Sequence, residues 1–207
     1  MALASERNLI RRMTSGKKAK LKGAAITGTR VFLRPPAKRD LEEFVALNRA
    51  SLSFHRGLVS PPINAEQFTA WLKRSRKRDN ACFLICLLED QSIVGSINLS
   101  QIFRGGFQNA YLGYYLGAKY AGQGYMTEAV GLILKYTFQK LKLHRLEANI
   151  QPGNRASIEV ARRAGFTLEG YSRNYLKISG WWRDHERWAI IAEDWRAGRK
   201  RARASAV

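Results

Sequence analysis

Two glycines flank Gln123 in the stretch Lys119-Tyr120-Ala121-Gly122-Gln123-Gly124-Tyr125-Met126-Thr127-Glu128-Ala129. The stretch follows an alternating, strand-like segment, Ala110–Leu116, and opens a helix-like one. Such a loop turns tightly and points several backbone N–H groups at one place. The helix that follows adds its positive N-terminal end, so an anion is held there without a charged side chain. Glycine supplies the positive φ, or the close backbone approach to a ligand, that a Cβ would forbid. A pyrophosphate suits such a cradle. An ordinary strand-to-helix turn would use the same residues, so the rest of the chain decides between the two.

Other chemistry is thinly represented. Cys82 and Cys86 lie four apart in a strand-like run, facing the same way. At ~3.3 Å per residue their Cα atoms stand ~13 Å apart. A disulfide needs them within ~7 Å. No paired Cys/His pattern suggests a metal, and no Cys–His or Ser–His motif suggests a covalent intermediate. Of the three histidines, only His185 sits beside a carboxylate, Asp184; the pair is read as ordering a final hairpin, and His55 and His144 as incidental.

The 207 residues suffice for one domain with a full core, and no apolar run approaches the ~20 residues of a membrane span. The N-terminus lacks the apolar core of a secretory signal. The expectation is a cytoplasmic protein. Net charge is +20. Residues 1–29 hold seven Lys/Arg against one Glu, and residues 193–207 hold five Lys/Arg against two acids. A body and tails of one sign point to a polyanionic neighbour such as RNA or a ribosome; a solubility feature would look the same.

The elements that must position the glycine loop follow from pattern. Residues 1–29 read as a flexible basic arm and 193–207 as a basic C-terminal tail. Between them, Arg30–Arg34 is a strand stopped by Pro35-Pro36. Asp40 with Glu43 reads as a capping box on a first helix. Asn64 caps a second helix that ends in Lys73, Arg74, Arg76, Lys77 and Arg78. Cys82–Leu88, Ile93–Phe103 and Ala110–Leu116 form a meander. A helix follows the glycine loop, then strand Arg145–Ile150, helix Ser157–Ala164 stopped by Gly165, and strands Thr167–Lys177 and Arg183–Ala192. Strand, two helices, three strands, helix, strand, helix and two strands make an α+β fold with a mixed sheet.

That order, with the loop after the fourth strand, resembles the GNAT acetyltransferase fold over residues 30–192. Gly122-Gln123-Gly124 resembles the family's acetyl-CoA pyrophosphate loop. Asn154-Arg155-Ala156-Ser157 followed by Gly165-Phe166 resembles its Asn-x-x-Ser…Gly-Phe run. Leu168-Glu169-Gly170-Tyr171, Trp182-Arg183-Asp184-His185, Arg104-Gly105 and Tyr111-Leu112-Gly113-Tyr114 are similar to the ribosomal-protein N-terminal acetyltransferases, most closely the alanine-specific ones. The resemblance implies a single GNAT-type domain, a mostly antiparallel mixed sheet flanked by helices, and central strands that splay apart.

It also implies roles. Gln123, Gly124, Tyr125 and Met126 would offer N–H groups to the pyrophosphate. Tyr114 and Leu116, on the strand that splays, would offer main-chain groups to the pantetheine arm and the acetyl oxygen. Asn154 would bond the cofactor's amide arm, and Ser157 would protonate the leaving thiolate. No metal is implied. The chain departs from the family at Lys119, where Gln or Arg is usual, at Ala161, where many members carry an acid tyrosine, and at Leu176, near which serine-specific relatives carry a glutamate. The general base is therefore open, with Glu147 and Glu169 as candidates at the end of a water chain.

Energetics favour an α-amine as acceptor. Its pKa is ~8 against ~10.4 for lysine, so deprotonating lysine costs roughly 3 kcal/mol more. The expected acceptor is the N-terminus of an alanine-starting small-subunit ribosomal protein, with ribosomal RNA docked on the basic helix end. A small-molecule acetyltransferase and a non-catalytic docking protein are the alternatives, and the sequence leaves monomer and homodimer open.

Overall fold

The computed structural model describes residues 23–204. Most of the basic arm, residues 1–22, lies outside the described residues. Residues 23–29 do not continue it. Ile26–Thr27 forms a short strand, β1, antiparallel to β2 (Val31–Arg34) with Ile26 opposite Leu33.

The eight strands among the described residues form one sheet in the order β1-β2-β3-β4-β5-β6-β8-β7. The meander is β3 (Ala81–Leu87), β4 (Ile93–Ser100) and β5 (Asn109–Leu116). After β6 (Arg145–Ile150) come β7 (Thr167–Ile178) and β8 (Trp181–Ile191), and β8 inserts between β6 and β7. Only β5 and β6 are parallel. They pair from Asn109–Tyr111 against Arg145–Glu147 and then diverge, leaving β5 from Leu112 onward unpaired on that side. This is the expected splay.

Alternation along the strands builds two apolar layers. Val31 and Leu33 of β2 face α4 (Tyr125–Lys135) and α5 (Arg155–Arg163), joining Val130, Ile133 and Ile158. Phe32 between them faces α1 (Leu41–Arg49) and α3 (Ala65–Ser75), joining Phe44, Phe68 and Leu72. Tyr114 packs on the first layer and its neighbour Tyr115 on the second. Both cysteines are free, and burial raises each thiol to about 11.

Asn64 caps α3 as expected, its Oδ1 accepting the Gln67 N–H at 2.9 Å. Gly165 follows α5 with φ +90°. The capping box at Asp40 does not form. Buried Arg34 claims the Asp40 carboxylate in a bidentate pair, both bonds 2.8 Å, and Glu43 instead accepts the N–H of Ile93. A buried guanidinium without a counter-charge would be costly, so the ion pair overrides the local cap.

A four-residue helix absent from the sequence reading, α2 (Leu52–His55), stands between α1 and α3. The C-terminal segment read as a tail is α6 (Ala192–Ala204), anchored by Trp195 against Phe138 at 5.3 Å between ring centroids. The apolar ring gives an otherwise basic segment something to bury.

Candidate functional site

The glycine loop has the conformation its sequence demands. Gly122 has φ +74° and Gly124, the N-cap of α4, has φ +80°. A Cβ on Gly122 would meet nothing within 4 Å, so that face is open; one on Gly124 would press on the Arg30 guanidinium at 3.0 Å. The N–H groups of Gly122, Gln123 and Gly124 donate to no backbone carbonyl among the described residues. The first N–H groups of α4 likewise have no acceptor one turn back.

Arg30 braces the loop from outside. Its Nη1 donates to the Gln123 carbonyl at 3.0 Å and its guanidinium lies 4.9 Å from the Tyr125 ring centre. Arg30 is held in turn by Glu128, whose Oε1 accepts the N–H groups of Thr29, Arg30 and Val31 at 2.6, 2.8 and 3.2 Å. Glu128, in the first turn of α4, thus ties the β1–β2 turn to the loop.

Beside the loop, at the splay, is a cavity lined by Tyr114, Leu116, Gly122, Met126, Asn154 and Ser157, with His55 and Val59 closing one end. Six of the ten expected site positions therefore border one space or its loop edge: Tyr114, Leu116, Met126, Asn154 and Ser157 line it directly, and Gln123 adjoins it beside Gly122. Gly124 and Tyr125 continue the loop into α4. The Tyr114 hydroxyl donates to the Ser157 carbonyl at 2.9 Å, fixing α5 against the unpaired stretch of β5. Burial pushes the Tyr114 phenol well up, so it stays a donor. Asn154 Oδ1 accepts the Ser157 N–H at 3.2 Å, which caps α5 and leaves the Asn154 amide nitrogen unengaged among the described residues. The Ser157 hydroxyl has no protein partner among them either.

Glu147 and Glu169 are elsewhere. Arg145 bonds Glu147 through Nε at 2.7 Å and grips Glu169 with both terminal nitrogens. Neither glutamate lines the cavity. The Arg145 hydrogen bond holds the Glu169 carboxyl below the usual carboxylate range, which weakens it as a base. The cluster sits where β6 meets β5 and β8 and serves the sheet. Asp184 accepts the Tyr171 hydroxyl and the Asn174 N–H, while buried His185 bonds the Arg183 carbonyl at 2.9 Å. They order the β7–β8 hairpin, as read from sequence.

His55 is the residue that the sequence reading passed over. It is buried at the end of α2, and its Nε2 lies 2.8 Å from the Leu116 carbonyl. Its Nδ1 is buried without a partner among the described residues. Burial pushes the imidazole below its ordinary value, the Leu116 bond offsetting part of the drop. A neutral ring with Nε2 donating leaves a lone pair on Nδ1. His55 also lines a second, larger space of about 730 Å³ between α3, the Arg56–Ile63 segment and the β7–β8 tip. The two spaces share His55 and Val59. The same two side chains therefore stand between the large groove and the loop-side cavity.

Comparison with known proteins agrees with this geometry. Residues 30–167 match the acetyltransferase (GNAT) domain family. A probable N-acetyltransferase, YjcK, of Bacillus subtilis is 35% identical over 179 residues, 82% of this chain and 98% of that protein. The ribosomal protein uS5-alanine N-acetyltransferase of Escherichia coli is 40% identical over 111 residues, 54% of this chain and 57% of that protein. The structure of Mycobacterium smegmatis RimJ in complex with CoA-disulfide superimposes with a TM-score of 0.72 at 29% identity, covering 79% of this chain and 82% of that one. The chain belongs to the GNAT acetyltransferase family, and its cosubstrate is acetyl-CoA.

Proposed function

We propose that this enzyme acetylates the N-terminal α-amine of a protein, and that the acceptor is an alanine-starting small-subunit ribosomal protein in the cytoplasm. The observation that carries the proposal is the junction at His55, where an open groove meets the cavity beside the phosphate loop. The groove suits an extended chain end rather than a compact small molecule. Three guanidiniums on its lining, those of Arg56, Arg74 and Arg183, disfavour a polyamine. Kinship with the Escherichia coli uS5-alanine enzyme supports the acceptor class.

The residues then divide the chemistry. Loop N–H groups from Gly122 to Met126 hold the pyrophosphate of acetyl-CoA, which supplies a thioester. Main-chain groups of β5 on the side that the splay leaves open, apart from the Leu116 carbonyl that His55 occupies, orient the acyl group. Two reactants held in one junction gain the effective concentration that a direct transfer needs. The amine nitrogen bonds to the acyl carbon and the carbon–sulfur bond breaks. The amine's surplus proton passes to Nδ1 of His55, which the acceptor chain must first uncover because that atom is buried, and is released to solvent as the product leaves. The Ser157 hydroxyl delivers a proton to the departing sulfur and recovers one from water. His55 needs only modest basicity, because an α-amine is already partly neutral near pH 7.5 and its proton becomes acidic once nitrogen bonds to carbon.

Lys73, Arg76 and Arg78, exposed at the far end of α3, provide a surface for ribosomal RNA, and association there falls with salt. The deciding experiment is intact-mass analysis of ribosomal proteins from cells with and without the chain, beside turnover of an alanine-starting peptide by the purified enzyme. A 42-Da (about one acetyl group) loss on one ribosomal protein is expected by the acetyl-transfer chemistry itself. Unchanged masses together with no peptide turnover would exclude the reading.

A further inference from the structure

The large groove has a charge pattern that the acetyl-transfer chemistry does not require. Arg56 enters from the segment after α2, Arg74 from the last turn of α3 and Arg183 from β8. Three elements distant in sequence each bring one guanidinium to one concavity. No carboxylate among the described residues lines it. Some arginines of this chain, among them Arg30, Arg34, Arg145, Arg162 and Arg196, form ion pairs. Arg56, Arg74 and Arg183 form none among the described residues, and no side-chain hydrogen bond occupies them.

The cations sit on an apolar, shaped floor. Pro61, Pro62, Trp71 and Trp181 line the groove with them. Trp71 is fixed by stacking on Phe44 at 4.8 Å. Ser60 and Ser179 oxygens lie 3.3 Å apart, bringing the hairpin tip against the opposite wall. An adjoining space shares Trp71 and Arg74 and adds Lys77 and Asp79, whose charges offset each other, so the positive excess is confined to the groove.

Resting on the reading that the acceptor is a protein N-terminus, we infer that the groove selects acceptors with Asp or Glu within the first few residues after the reacting amine. A guanidinium binds a carboxylate in a bidentate, charge-assisted manner, and this is worth more in a partly desolvated groove than on open surface. RNA phosphates share the negative charge, but a single strand is held by a groove that tracks its backbone over several nucleotides. This space is concave, walled on three sides and ends at the imidazole, which suits one chain end.

The test uses the purified enzyme, acetyl-CoA and two peptides that begin with alanine and differ only at the third to fifth positions, Glu in one and Lys in the other. Direct binding is read by fluorescence anisotropy and turnover as kcat/KM. The Glu peptide is expected to bind and react at least tenfold better, which corresponds to about 1.4 kcal/mol, and the preference should shrink with added salt. The double variant Arg74→Glu/Arg183→Glu, both exposed positions, should reverse the order of the two peptides.

Equal binding and turnover of both peptides would overturn the inference while leaving the proposed function intact. Selective binding of the Glu peptide without acetylation would support the inference and overturn the proposed function. Competition by an RNA oligonucleotide that the double variant abolishes, with peptide preference unchanged, would assign the groove to RNA and overturn the inference.

Discussion

Glu128 offers the most direct check that the loop's shape is imposed from behind. Its carboxylate accepts three backbone N–H groups of the β1–β2 turn and faces the Arg30 guanidinium at 3.4 Å. Its side chain is only 15% exposed, and a Cβ at Gly28 would come within 2.3 Å of Oε1, so the turn is built around this oxygen. Hydrogen bonds to a charged group are worth ~1.5–3 kcal/mol each, but water reaches a surface turn once the side chain is gone. Glu128→Ala should therefore cost about 2–3 kcal/mol in all, near one full bond's worth. For a chain of this size that corresponds to a Tm lower by about 4–12 °C.

Glu128→Gln keeps an acceptor oxygen and loses only the charge, so it should cost about 1 kcal/mol or less. Both variants free Arg30 from its position under the Gln123 carbonyl, and acetyl-CoA affinity by calorimetry should fall by about tenfold in the alanine variant. The pH dependence has a definite sign. Burial pushes the Glu128 carboxyl up, but the N–H groups of Arg30, Val31 and Thr29 outweigh it and hold it below the usual carboxylate range. The unfolded chain then takes up the proton first, so the stability Glu128 contributes is complete above the ordinary value of ~4.3 and is lost as pH falls through the folded one. The gap between wild type and Glu128→Gln should close in that acidic window. A Tm within 1 °C (about 0.3 kcal/mol) of wild type for Glu128→Ala, with unchanged acetyl-CoA affinity, would refute the bracing role.

Three further outcomes are expected. Gly124→Val forces a β-branched residue to φ +80° against Arg30 and should weaken acetyl-CoA binding by well over tenfold, about 1.4 kcal/mol or more; equal affinity in a folded variant would remove the loop from the cofactor site. Ser157→Ala should lower kcat by ~10²-fold or more with acetyl-CoA affinity preserved, whereas retention of half the rate would make Ser157 structural. His55→Gln preserves a donor for the Leu116 carbonyl but removes the lone pair on Nδ1, and should lower kcat by ~10²-fold. It should also abolish the acid limb of the wild-type pH–rate profile that reports a histidine below its ordinary value; an unchanged limb would assign the proton to another acceptor.

What was readable in the sequence was whatever local rules decide. Gly122 and Gly124 announced positive φ, Asn64 a cap and Gly165 a helix stop, because each depends on a few neighbouring residues. The splay followed from fold resemblance rather than from any residue. Asp40 misled because its cap competed with a buried arginine six residues back, and the pattern of a capping box carries no knowledge of burial. Glu147 and Glu169 looked available because their common partner, Arg145, reaches Glu169 only once β7 has folded beside β8. His55 was invisible for a related reason. Its importance lies in a bond to a residue 61 positions away and in a junction between two cavities, and no spacing rule encodes either. Trp195 alone could have foretold α6, as a large apolar ring inside a basic run that needs something to cover.

The groove's charge and the absence of a strong base are parts of one argument. An ammonium that approaches three guanidiniums is disfavoured relative to the neutral amine, because like charges penalise the protonated form. At ~10 Å in water each unit charge contributes about 0.4 kcal/mol. Three together would lower the amine's pKa by about 0.9 unit, from ~8 toward ~7, before salt screening reduces the effect. An α-amine would then be close to half neutral at physiological pH, and on the proposed reading a histidine of depressed basicity would suffice to remove the last proton. A lysine starting at ~10.4 would remain almost wholly charged under the same shift. On the proposed reading the same cations would attract carboxylates further along the acceptor chain, so the distribution that would recruit an acidic N-terminal segment would also prepare its amine to react. A polyamine gains neither advantage: it is repelled at the rim and carries no acid to hold it there.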